Sequence, residues 1–220
     1  YWEGVGLNEA GVRLMLRQGE GNELFREVGE IKPRVDALQE VLQGAEAAEA
    51  ACEAAPQPKL DAANMVSRVP ALLSQGTEVA ARNLQVLRKL LPPEANVDAI
   101  VGQQPGLLAL DPDSLEVNYG VIERCAAQNS QWRKELREWH TKRYGMLLFA
   151  LKVSTPDHHK RLAYVAGLEE KPTRPRPYIH KVLSSLPEDF DRVFPGWDGG
   201  PAHPKPKKVR GTTRRRLSKA

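Results

Sequence analysis

Apolar positions in the stretch Ser67–Leu91, SRVPALLSQGTEVAARNLQVLRKLL, return 35 residues later in Gly102–Ala126, GQQPGLLALDPDSLEVNYGVIERCA. The shift carries Met65-Val66 onto Ile100-Val101, Pro70 onto Pro105 and Leu72-Leu73 onto Leu107-Leu108. It also carries Ala80, Leu84, Leu87 and Leu91 onto Leu115, Tyr119, Ile122 and Ala126, the i, i+4, i+7, i+11 spacing of one helix face. A period of this length is the signature of stacked two-helix units. Proline has no amide hydrogen and disfavours a helical residue before it, so the first helix of each unit is predicted to stop near Val69 and near Gln104. The leucine pair then fills the corner. Ser74 with Thr77 in one unit, and Asp111-Pro112-Asp113-Ser114 in the other, are the predicted starts of the longer helices.

A worn copy precedes these two. Leu14-Met15 stand where Met65-Val66 do, and Ile31, Val35, Leu38 and Leu42 stand where Ala80, Leu84, Leu87 and Leu91 do, with Gly19 in place of the corner proline. The extra distance is taken up by the Ala/Glu-rich run Gly44–Leu60, read as a solvated helix extension plus a linker. The predicted organisation is therefore a degenerate first repeat over 1–43, a linker over 44–60, two clear repeats over 61–130, a helical region over 131–198 and a tail over 199–220.

The VPALLS and QPGLLALD corners, the IKPRVDAL helix and the period of 35 resemble the mitochondrial transcription termination factor (mTERF) family, whose repeats carry a proline followed by leucines. The segment Arg161–Asp198 is similar to the way such chains end. Pentatricopeptide repeats share the period and lack the corner. The resemblance implies an all-α fold, a short α-solenoid of mTERF-like helical repeats, and an organellar nucleic-acid partner in the mitochondrial matrix or, alternatively, the chloroplast stroma. The chain opens on Tyr1 rather than methionine, which a removed transit peptide or a segment boundary would each explain.

Charge refines the expected partner. The formal total of +4 is distributed as −6 over residues 1–61, −2 over 62–130, +4 over 131–198 and +8 over 199–220. The tail GGPAHPKPKKVRGTTRRRLSKA has eight cations and no acid: Lys205, Lys207, Lys208, Arg210, Arg214, Arg215, Arg216 and Lys219. With so little to bury it is expected to be disordered when free, and a phosphate backbone is the ligand such a segment suits. A solubilising or localisation role is the alternative. A second basic element, Gln131–Leu162, carries Arg133, Arg137, Lys142, Arg143, Lys160 and Arg161, and Arg174 and Arg176 follow. On a helix Arg133, Arg137 and Tyr144 would share one side, beside an apolar face of Trp132, Leu136, Trp139 and Met146 expected to pack in the core. Glu135 and Glu138 interrupt the basic side, so a merely solvated face stays open.

Chemistry is sparse. His158-His159 are sequence neighbours that point apart on a helix, and His140 and His180 lack a metal-type partner at i+4. Asp111 and Asp113 sit where acids cap a helix. Phosphate-loop, nucleophile-elbow and dinucleotide patterns are not present in the chain. Cys52 and Cys125, with no CxxC, are expected as small buried hydrophobes. The expectation is a non-enzyme without cofactor or metal, with no small-molecule substrate and no membrane partner. Its partners would be RNA, most simply rRNA, and neighbouring ribosomal proteins. A structural component of a mitochondrial ribosome that clamps rRNA leads; an mTERF-type regulator of organellar transcription or RNA maturation, and a protein-interaction solenoid, are the alternatives.

Overall fold

The computed structural model describes Glu9, Arg13, Arg17 and residues 28–49, 60–168 and 177–197, and among these every regular element is helical. Leu14, Met15, Gly19, Cys52, Arg174, Arg176 and the tail Lys205, Lys207, Lys208, Arg210, Arg214, Arg215, Arg216 and Lys219 lie outside them. The helices are α1 (Val28–Glu49), α2 (Ala62–Arg68), α3 (Ala71–Ser74), α4 (Thr77–Leu90), α5 (Val97–Gln103), α6 (Pro112–Ala127), α7 (Ser130–Thr141), α8 (Tyr144–Val153), α9 (Pro156–Gly167), α10 (Ile179–Ser184) and α11 (Pro187–Val193), with a 3₁₀ turn at Pro105–Ala109. The chain divides into two units, Tyr1–Ser184 and Ser185–Ala220. In the second, Phe190 lies 4.7 Å from Phe194 and meets Trp197 edge-on at 5.5 Å between ring centroids.

The 35-residue period is written into the backbone of the first unit. α2 and α5 start and stop 35 positions apart, and so do the starts of α4 and α6. Asp61 and Asn96 cap α2 and α5 identically, each side chain accepting from the amide three residues on, at 3.1 and 2.8 Å. Val69 and Gln104 close those helices with nearly the same dihedrals, φ −137°, ψ 78° and φ −128°, ψ 66°. The amides of Leu72 and Leu107 then return to the carbonyls of Val69 and Gln104, at 3.1 and 3.0 Å. The corner residues Pro70, Leu72, Leu73, Pro105, Leu107 and Leu108 are all buried. So are both expected helix faces: Ala80, Leu84, Leu87 and Leu91, and Leu115, Tyr119, Ile122 and Ala126. The worn copy keeps its face, with Ile31, Val35, Leu38 and Leu42 buried on α1.

One expected start signal is wrong in detail. Asp111 does cap α6, accepting from the Ser114 amide at 2.8 Å, and Pro112 opens its first turn. α4, however, is entered through Gly76 without a side-chain cap, while the Ser74 hydroxyl donates back to the Ala71 carbonyl at 3.0 Å. Gly76 has φ 87°, a left-handed conformation that a Cβ disfavours, so the turn depends on glycine rather than on a hydroxyl.

The long helices pack in order, α1 on α4, α4 on α6 and α6 on α9, while α7 and α8 also lie against α6. A side chain at the same repeat position ties each of the first three to the corner ahead of it. Arg34 on α1 donates to the Leu73 carbonyl at 3.2 Å. Asn83 on α4 donates to the carbonyls of Leu108 and Leu110 at 3.0 and 2.7 Å. Asn118 on α6 donates to the Leu151 carbonyl, at the end of α8, at 2.9 Å. Asn83 and Asn118 are themselves 35 residues apart and both buried. The Asn118 carbonyl oxygen also accepts from His159 Nε2 at 2.9 Å, whereas the corresponding oxygen of Asn83 has no hydrogen-bond partner among the described residues. The reason is local: α9 and α6 start alike, with Thr155-Pro156-Asp157 and Asp111-Pro112-Asp113, and four residues past the cap one has His159 and the other Leu115.

Asn83→Ala removes the donor for two inward-facing carbonyls at once. It should destabilise the chain by about 1–3 kcal/mol in urea-induced unfolding. Since these carbonyls receive little else, a loss under about 0.5 kcal/mol would show the ladder to be incidental.

Candidate nucleic-acid interface

α7 is an amphipathic helix begun by Asn129, whose side chain accepts from the Gln131 and Trp132 amides at 2.8 and 3.3 Å. Trp132, Glu135, Leu136, Trp139 and His140 face inward and are buried; Arg133, Lys134 and Arg137 face solvent. The helix ends at Thr141, and Lys142 and Arg143 make the break before α8. Tyr144 therefore opens a separate helix, which corrects the expectation that it shares a helical face with Arg133 and Arg137. The two arginines remain one turn apart and both exposed, with Lys134 beside them.

What distinguishes these cations is that the chain does not use them. Among the described residues Arg133, Lys134, Arg137 and Lys142 make no ion pair, and Arg143 has only Glu138 at 3.7 Å. In the repeat region the opposite holds. Arg82 and Lys89 on α4 pair with Asp113 and Glu116 on α6, and Arg88 pairs with the buried Asp98 at 3.1 Å. Arg68 donates to the carbonyls of Gly102 and Gln103 at the end of α5. Of the cations between 62 and 127, Arg68 and Arg124 are exposed without an ion pair among the described residues, and of these two Arg68 is held by carbonyls. Lys160, on α9, is likewise exposed and without an ion pair among them.

Arg161 does not belong to this surface. It is 4% exposed and its guanidinium meets Asp157 at 2.7 Å, an i, i+4 pair on α9 that holds it against the core. Arg174, Arg176 and the eight tail cations, outside the described residues, are not placed relative to α7.

Glu135, expected to interrupt the basic face, instead turns inward. It is 5% exposed and accepts from the Ile179 amide at 2.8 Å, the His180 amide at 3.4 Å and His180 Nδ1 at 2.8 Å. Trp132 Nε1 donates to the Pro177 carbonyl at 2.8 Å. Two inward residues of α7, one turn apart, thus clasp the segment 177–180. The sequence signal was faint: an acid on the line of the two tryptophans, facing a helix start some forty residues away.

The histidines are taken up in similar ways. His140 meets the Tyr119 hydroxyl at 3.3 Å in the core, and burial pushes its pKa down to about 4 while raising that of Tyr119. Burial also lowers His158 and His159, reinforced at His158 by Arg161 and at His159 by His158. The Asp111 carboxyl is held below its usual value by its bonds to Ser114, as befits a cap. Among the described residues no three His, Cys, Asp or Glu side chains gather as metal ligands would, and no helix is long and apolar enough to cross a membrane. Cys125 is a buried free thiol.

Comparison of the chain with protein-family models, curated proteins and solved structures returns no match. The reading of this surface therefore stands on its own residues.

His140 supplies a test of the core beneath the interface. Its folded pKa of about 4 lies below the ordinary 6.5, so the unfolded chain binds the extra proton between those values. Stability should be fully present above about pH 6.5 and fall toward pH 4, by an order of 3 kcal/mol for this group. His140→Gln should flatten that part of the pH profile measured by urea unfolding; an unchanged slope would mean that His140 is not the buried neutral group described here.

Proposed function

We propose that the protein is an organellar RNA-binding helical-repeat protein, a short α-solenoid of mTERF-like repeats that anchors rRNA as a structural component of a mitochondrial ribosome. The observation that carries the RNA reading is the contrast in how cations are used. Repeat-region cations are spent on ion pairs and backbone carbonyls, whereas Arg133, Lys134, Arg137 and Lys142 stand exposed and unpaired among the described residues. Exposed cations with no ion pair are free to meet an anion, and arginine forks suit phosphate oxygens. The eight cations of the tail add a second, sequence-blind electrostatic contribution.

The ribosomal assignment rests on the resemblance of the two central corners to mTERF repeats and on where the charge lies. A transcription factor tracking a duplex needs a continuous basic surface along its repeats, and residues 62–130 are net acidic with their cations largely engaged. Anchoring from α7 and the tail suits folded rRNA, which presents phosphates and riboses rather than readable base edges. The same reading puts the protein in the mitochondrial matrix.

Arg133→Glu with Arg137→Glu, and separately deletion of Gly199–Ala220, should each weaken binding to structured RNA and flatten the dependence of log K on log salt, by about 1–2 for the double substitution. Neither should change thermal unfolding appreciably, because Arg133 and Arg137 are exposed and the tail sequence offers few apolar side chains to bury. In organelle extracts the wild-type chain should sediment with ribosomal particles and leave them on RNase or high-salt treatment. Salt-independent binding, or sedimentation with organellar DNA free of ribosomal subunits, would overturn the proposal.

A further inference from the structure

Tyr178 is an exposed aromatic on an unusually firm mount. Its side chain is 52% exposed, yet its ring stacks on His180 with centroids 5.6 Å apart and planes 18° from parallel. His180 is itself fixed, its Nδ1–H donating to the buried Glu135 carboxylate at 2.8 Å. The backbone is pinned on both sides of the tyrosine: the Pro177 carbonyl by Trp132 Nε1, and the Ile179 amide by Glu135. One ring face is thus supported by an anchored imidazole, and the phenol hydroxyl makes no hydrogen bond among the described residues.

Lys181 stands one turn on from Tyr178, its amide donating to the Tyr178 carbonyl at 3.0 Å. Lys134 and Lys181, the chain neighbours of Glu135 and His180, are exposed and make no ion pair among the described residues. The other large exposed apolar side chain described within Tyr1–Ser184 is Val117, on α6. A flat ring already held in place, with an exposed lysine one turn along the chain, suits a group having both a π-face and a phosphate.

From this we infer that Tyr178, backed by His180 and Glu135, is a stacking platform for an unpaired nucleobase of single-stranded RNA, its flanking phosphates neutralised by Lys134 and Lys181. The inference rests on the RNA-binding reading above and narrows it, because base faces are available only where RNA is unpaired. Holding the ring in advance lowers the ordering cost of binding.

The test compares the full chain with Tyr178→Ala and Tyr178→Phe for binding a fluorescein-labelled, mixed-sequence single-stranded oligoribonucleotide and an RNA duplex of equal length. Tyr178→Ala should weaken single-strand binding about tenfold and leave duplex binding within about twofold, with Tyr178→Phe matching wild type. Single-strand affinity unchanged in Tyr178→Ala overturns the platform, and the RNA reading survives if Arg133→Glu with Arg137→Glu still weakens binding. Equal weakening for strand and duplex overturns stacking in favour of a general contact. If the alanine variant instead loses a co-purifying protein while keeping RNA affinity, the ring belongs to a protein contact and the inference fails. Wild type binding neither probe would remove the RNA reading and the platform together.

Discussion

A proline corner leaves backbone carbonyls pointing into the fold with no amide of its own turn to receive them, and a buried carbonyl without a donor costs stability. The chain meets this constraint in the same way at each junction. Arg34, Asn83 and Asn118 project from the long helices α1, α4 and α6 onto the carbonyls of Leu73, Leu108 with Leu110, and Leu151. The Arg34 and Asn83 bonds reach from one unit to the proline corner of the next, and the Asn118 bond reaches the last turn of α8, so each fixes the axial register of its helix against a neighbouring element. The leucines supply burial; the side-chain amides and the guanidinium decide where along each helix that burial takes place.

The same economy governs charge. In the repeats, cations are used to join neighbouring units: Arg82 to Asp113, Lys89 to Glu116, Arg88 to Asp98. The exposed pairs, Arg82–Asp113 and Lys89–Glu116, contribute little to stability, but like Arg88 with the buried Asp98 they leave those cations with partners. On α7 the acid that could have neutralised the basic face, Glu135, is turned inward to hold the segment carrying Tyr178 and His180. One buried carboxylate thereby seats that segment and makes no ion pair with Arg133, Lys134 or Arg137, while Glu138, the other acid of α7, meets Arg143 instead.

Much of the fold was legible in the sequence because the repeat recurs as a pattern of apolar residues: the stops at Val69 and Gln104, the buried corner leucines and the faces of α4 and α6 all follow from it. The ladder was legible too, since Asn83 and Asn118 obey the same shift, but a polar residue in an apolar search is easily passed over. Gly76 was hidden because a left-handed turn depends on a backbone angle rather than on a capping hydroxyl. Of the candidate site, Arg133, Arg137, Lys142, Arg143 and Lys160 are exposed as a binding surface requires, whereas Arg161 is spent on Asp157, an i, i+4 acid visible in the sequence. Glu135 could not be assigned from sequence because its partners, Ile179 and His180, are distant in the chain and meet it only through the packing of the helices. Tyr178 was missed for the same reason.

Ultraviolet crosslinking of the full chain to RNA, followed by peptide mapping, tests the division of labour most directly. The account predicts adducts in residues 130–181 and in the basic tail, with few or none in 62–110. Adducts running along α2 to α5, in the segments whose cations are engaged with one another, would contradict it and point to the repeats themselves as the binding surface.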